Sequence, residues 1–195
     1  MTTYTRVRAR FTAYDVVYCG MFAALMMIGA NITSFMPFMV VGGVPITLQA
    51  FFAILAGLVL GSKRGAIAVA VYACVGLAGA PVFARFSGGI SQLLSPTFGF
   101  IIVFILSAYI AGKMIEVRST KAMYVAAGLV AMMISYLLGT NWLYAAYKLW
   151  AAAPEGFSYW MAWAWMLPPL PKDIVLAILA GLFAFRLRHV IKVGN

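Results

Sequence analysis

Four carboxylates and one histidine are all the carboxyl and imidazole groups this 195-residue chain offers: Asp15, Glu116, Glu155, Asp173 and His189. None of the carboxylates falls in the middle of a long apolar stretch, where a proton or sodium relay would need one. A nucleophile with its base, or two or three metal ligands near a bilayer, cannot be assembled around one histidine, and His189 lies in a basic tail. Cys19 and Cys74 sit inside apolar stretches, where cysteine serves as a small apolar filler, so neither a disulfide nor a metal site is indicated. The stretch GLVLGSKRG contains glycines but lacks the Lys-Ser/Thr of a phosphate loop. Any nucleotide hydrolysis that drives this protein must come from another subunit. The pattern points to binding, with no catalytic residue and no enzyme activity.

The candidate binding groups are few. Arg85 lies in an apolar, Gly-rich stretch with no acidic neighbour, so it either pairs with a ligand carboxylate or snorkels to outer headgroups. Lys172 and Asp173 follow PPLP (Pro168 to Pro171) at the start of an apolar stretch. There Asp173 is either an ordinary residue favoured by the helix dipole or an acceptor for ligand N–H groups. Gly139, Asn141 and Trp142 belong to GTNW, where a glycine allows close approach and the amide and indole can hydrogen-bond and stack. Thr47 and Gln49 are pocket-lining groups or simply helix-start residues. Lys148 and Glu155 read as solvated rim residues.

The elements that must position these groups follow from composition. The chain is 65% hydrophobic and 9% charged, with a net charge of +10, which no soluble domain of this size resembles. Eleven of the fourteen Lys and Arg fall in four groups: Arg6, Arg8 and Arg10; Lys63 and Arg64; Lys113, Arg118 and Lys121; Arg186, Arg188 and Lys192. Each interval between groups has room for two crossings of about 20 apolar residues. The expectation is a single all-α integral membrane domain over residues 1–195. Its six spans are near 13–31, 46–61, 65–81, 97–115, 122–146 and 168–187, with both termini cytoplasmic by the positive-inside rule. The cations contact inner-leaflet lipid rather than nucleic acid. The Arg-rich start resembles a signal peptide, yet its apolar run is long and lacks a clear cleavage site, so it reads as a retained first span.

On the outer side, Thr33 to Pro45 is uncharged but broken by Pro37, Gly42, Gly43 and Pro45. It is expected to pack back onto the protein as a lid or re-entrant loop, not as a helix. Gly79 to Thr97 has the same character. The connection from about Tyr147 to Pro171 is crowded with Trp150, Trp160, Trp163 and Trp165, an interfacial aromatic belt. In the first span, Gly20 and Ala24 are four apart with Ala23 alongside, a small-residue face suited to close helix contact within the bundle or with a partner.

VPITLQ (Val44 to Gln49), GLAGAPVFARFSGG (Gly76 to Gly89), SPTFGF (Ser95 to Phe100) and GTNW (Gly139 to Trp142), in this order, closely resemble BioY, the biotin-specific S components of energy-coupling factor (ECF) transporters. The resemblance covers nearly the whole chain. It implies a six-helix S-component fold in a bacterial or archaeal plasma membrane, with biotin captured at the outer face and no cofactor. It also implies a partner module made of a transmembrane coupling subunit and two ABC-type ATPases, contacted through the first helix at Gly20 and Ala24. Alanine is usual at both places, so Gly20 is a departure. The ligand contacts it implies are Gly79, Arg85, Gly139 and Asp173.

Several relatives carry a lysine three residues after that aspartate, where this chain has Leu176, with Lys172 on the other side. The segment Pro154 to Trp163 looks like an addition. Biotin's carboxylate suits Arg85 or Lys172, its ureido ring suits Asp173 and Asn141, and its bicycle suits Phe83, Phe86 and Trp142. An S component for another vitamin, a stand-alone oligomeric facilitator and a non-transporting scaffold are the rival readings.

Overall fold

The computed structural model describes residues 12–35 and 40–188. Within them the chain forms seven α-helices: α1 (Ala13–Asn31), α2 (Gln49–Leu60), α3 (Ser62–Leu77), α4 (Phe98–Val117), α5 (Lys121–Leu149), α6 (Tyr159–Ala164) and α7 (Leu170–Leu187). Three of these, α1, α4 and α5, are long and apolar enough by themselves to cross a membrane. The helix α2 has 12 residues, about 18 Å at 1.5 Å per residue. Arg6, Arg8, Arg10, His189 and Lys192, together with residues 36–39 of the expected lid, lie outside the described residues.

α4 is the hub of the bundle, packed against α2, α3 and α5, while α7 packs on α5 and α2 and α1 on α3 and α2. Small residues make these contacts close. A Cβ on Gly57 of α2 would overlap the Ala108 carbonyl of α4, and one on Gly112 of α4 would overlap the backbone of Gly61 and Ser62. Buried alanines fill the remaining seams, among them Ala56, Ala108, Ala111, Ala127 and Ala180, each 0% exposed.

One end of the bundle is tied by charged and polar groups. Asp15 forms a capping box with Thr12, its Oδ2 accepting from the Thr12 N–H at 2.8 Å. Its Oδ1 pairs with Arg64 Nε at 2.7 Å, although the carboxylate is almost fully buried. Arg64 therefore binds α3 to α1, whereas the sequence assigned it to lipid headgroups. Glu116 at the end of α4 accepts from Ser62 N and Oγ at 2.8 and 2.6 Å, and Arg188 donates to the Ser119 carbonyl at 2.8 Å. The start of α1, the α2–α3 and α4–α5 turns and the end of α7 thus share one end. Cys19 is buried there, and its thiol donates to the Arg64 carbonyl. Cys74 is exposed on α3 rather than filling the interior.

The opposite end holds the irregular segments. A 3-10 turn (Ile32–Phe35) extends α1, and a two-stranded hairpin pairs β1 (Val40–Val41) with β2 (Val44–Pro45), Val41 opposite Val44. Two further 3-10 turns (Ala84–Phe86 and Ile90–Leu94) shape the α3–α4 connection. The Trp-rich connection contains α6, which the sequence did not announce. Its start is capped by Ser158, whose hydroxyl accepts from the Met161 N–H.

Candidate binding site

Between α2, α4, α5 and α7, at the irregular end, lies a cavity of about 290 Å³, near the lower bound of about 300 Å³ for small-molecule sites. Its apolar wall is aromatic: Phe83, Phe98, Phe100 and Phe104, with Ile101 and Met132. Phe83 stands edge-on to Tyr72 at 5.4 Å and to Phe98 at 6.1 Å, an arrangement that fixes the ring. The hairpin contributes Gly43, Val44 and Pro45.

Polar groups gather at the start of α7. Lys172 Nζ donates to Asp173 Oδ1 at 2.6 Å and to the Thr47 carbonyl at 2.7 Å. Tyr136 OH, on α5, donates to Asp173 Oδ2 at 2.7 Å. One carboxylate thus joins α5, α7 and the segment before α2, and all three side chains line the cavity. Gln49 lines it as well. Its Oε1 accepts from Thr47 Oγ1 at 3.1 Å, and its Nε2 donates to Tyr72 OH, which in turn donates to the Val82 carbonyl at 3.2 Å. Lower on α5, Ser135 donates to the Ala131 carbonyl at 3.0 Å and meets Ser107 Oγ at 2.9 Å.

On the α3–α4 connection, Arg85 lines the cavity with φ 62°. Its guanidinium makes no ion pair among the described residues, in contrast to Lys172. The arrangement sets an exposed cation, without an ion pair among the described residues, on one segment and an acceptor–donor cluster on another, with aromatic side chains in the same wall. This suits a ligand that is anionic at one end, hydrogen-bonding at the other and apolar in the middle.

Of the residues singled out in the sequence, Gln49, Arg85, Lys172 and Asp173 line the cavity, as do Thr47 and Phe83. Gly79, Gly139, Asn141, Trp142 and Phe86 do not. Met132, Ser135 and Tyr136 recur at helical spacing on the cavity face of α5. Asn141, five residues beyond Tyr136, is turned by roughly 140° from it. Asn141 is exposed, donates to the Leu137 carbonyl at 2.7 Å and accepts from Tyr159 OH at 3.4 Å. Trp142 packs edge-on to Trp150 at 6.1 Å, over Gly99. Its Nε1 and Thr140 Oγ1 are buried without hydrogen-bond partners among the described residues. Gly139 acts at one remove, because a Cβ there would overlap the ring of Phe100, which lines the wall. Phe86 is 52% exposed.

Tyr136 was missed by the sequence reading. Its signal was a hydroxyl-bearing run, Ser135 and Tyr136, one turn before GTNW in an otherwise apolar span. On α1, Gly20 and Ala24 lie on the exposed face, while Ala23, 2% exposed, packs inside the bundle.

The fold has a counterpart among solved structures. The crystal structure at 2.1 Å described as the S-component for biotin from an ECF-type ABC transporter matches it with a TM-score of 0.73 at 22% identity, over 97% of this chain and 95% of that chain. The chain itself belongs to the BioY family, whose pattern it matches over residues 3–193. BioYB of Bacillus subtilis strain 168 is 47% identical over 90% of this chain and 88% of its own length. The biotin transporter BioY of Thermotoga maritima is 36% identical over 90% and 96%.

Proposed function

We propose that this chain is the biotin-capturing membrane subunit of an ECF-type vitamin transporter. The observation that carries the reading is the division of the cavity into a cation without an ion pair among the described residues, Arg85, and a hydrogen-bonded cluster of Asp173, Lys172 and Tyr136. Arg85 receives the valerate carboxylate, since Lys172 already serves two oxygens. Asp173 accepts the ureido N–H groups, Lys172 and Tyr136 offer N–H and O–H donors near the ureido carbonyl, and the aromatic wall covers the bicycle. The relatives named biotin transporters support the choice of vitamin.

The chain crosses the plasma membrane six times, with the cation-rich end in the cytoplasm, as the spacing of the four Lys/Arg groups indicates. The cavity then opens outward, and the hairpin Val40–Pro45 is the part of the expected lid that reaches its rim. A transmembrane coupling subunit and two ABC-type ATPases supply the energy, and the exposed Gly20 and Ala24 of α1 give that partner a close-packing face.

The test is equilibrium binding of labelled biotin to the detergent-purified chain, with unlabelled biotin, thiamine and riboflavin as competitors. Tight stoichiometric binding displaced by biotin alone is expected. Asp173→Asn and Arg85→Ala should each weaken binding by about 1.5 kcal/mol or more, the scale of a lost charged hydrogen bond. Wild-type affinity in both variants would remove these residues from the site.

A further inference from the structure

The segment that brings Arg85 to the cavity contains two consecutive non-glycine residues in the left-handed region, Arg85 at φ 62° and Phe86 at φ 53°. Side chains with a Cβ rarely adopt this backbone, and it persists only where its surroundings hold it. The surroundings here are the end of α1. Asn31, 8% exposed, is the last residue of that helix, and its Oδ1 accepts from the Phe86 N–H at 2.7 Å. Its Nδ2 donates to the Val82 carbonyl at 3.2 Å and to the Met27 carbonyl at 3.1 Å. Three residues on, Ser34 Oγ accepts from the Arg85 N–H at 3.0 Å and lies 3.5 Å from Asn31 Oδ1. Both left-handed amides are therefore received by side chains at the end of α1 and in the 3-10 turn that extends it. The segment closes on itself through the Phe83–Ser87 bridge, which encloses the three residues Ala84, Arg85 and Phe86.

We infer that Asn31, assisted by Ser34, is a positioning residue for ligand capture: it holds the left-handed turn that aims Arg85 into the cavity. The inference rests on the anion-binding role proposed above for Arg85. Without the clip, residues 85 and 86 relax to negative φ, which rotates the Arg85 Cα–Cβ bond away from the wall it now lines. The polar cluster at Asp173 lies on other elements and keeps its own hydrogen bonds. The loss is thus confined to the cationic end of the site.

The experiment combines biotin affinity with backbone exchange on the purified chain. Asn31→Ala should weaken biotin about tenfold in the otherwise unmutated protein and by less than about twofold when Arg85→Ala is already present. Phe86→Gly added to Asn31→Ala should restore most of the affinity, because glycine adopts positive φ without a clip. Ser34→Ala, which removes only the Arg85 amide's partner, should give a smaller loss. Independently of any ligand, deuterium exchange at the amides of residues 85 and 86 should be slow in the unmutated protein and fast in Asn31→Ala.

Wild-type affinity in Asn31→Ala, additive losses with Arg85→Ala, or a loss that Phe86→Gly leaves unrescued would overturn the inference. Should the unmutated protein bind no biotin, the proposed function fails instead. The exchange measurement then decides the role of Asn31 alone: protection lost in Asn31→Ala supports the clip, and unchanged protection refutes it.

Discussion

Asp173 is held from both sides, with Lys172 on one oxygen and Tyr136 on the other. Removing either donor leaves a largely buried carboxylate with half its partners and less well aimed at a ligand. Tyr136→Phe should therefore weaken biotin by about 1 kcal/mol, roughly fivefold, as read by equilibrium binding. Lys172→Met should cost about as much in affinity, and it should lower the melting temperature as well, since it also frees the Thr47 carbonyl. The charged groups of the cavity wall were legible because ionisable residues are scarce in so apolar a chain: Arg85, Lys172 and Asp173 stand out by type alone. Tyr136 was not, because tyrosine is equally at home in an interfacial belt. That Asn141 and Trp142 stand off the cavity wall was not legible, because a span that is apolar all round has no polar stripe from which to read its rotational phase.

Whole helices were easier to find than the joints between them. Each of the six apolar stretches overlaps one helix, α1 to α5 and α7 in order, with α1 running from Ala13 to Asn31 and α3 starting at Ser62 and ending at Leu77, ahead of the expected 65–81. The hairpin, the 3-10 turns and α6 were hidden because Gly, Pro and Trp crowding marks irregular chain without specifying its shape. Close helix contact makes its own prediction. Gly57→Ala places a methyl group against the α4 backbone, which cannot yield as a flexible side chain can. It should destabilise the fold by about 1–3 kcal/mol, measured as a lower melting temperature in detergent. Gly139→Ala meets only the Phe100 ring. It should push that ring into the cavity and weaken biotin several-fold, with a smaller change in melting temperature.

Across the whole molecule, polar ties at one end and irregular segments at the other give the bundle two chemically distinct faces. In a background lacking Cys19 and Cys74, a membrane-impermeant maleimide added to intact cells should label Glu155→Cys but reach Ser119→Cys only after permeabilisation. The reverse pattern would invert the topology. The cation spacing foretold which turns share an end, whereas the Asp15–Arg64 pair depends on three-dimensional packing that no local pattern records.

The cavity wall has a further consequence. Its charged groups are two cations, Arg85 and Lys172, and one carboxylate, Asp173. A guest bearing one negative charge makes the filled cavity electroneutral, and a neutral guest leaves the exposed Arg85 without a counter-charge. Biotin methyl ester should accordingly bind at least about tenfold more weakly than biotin. Arg85→Gln should bring the two affinities together in a competition assay. The cargo is then the counter-charge of the cavity wall, and that wall is balanced only when it is loaded.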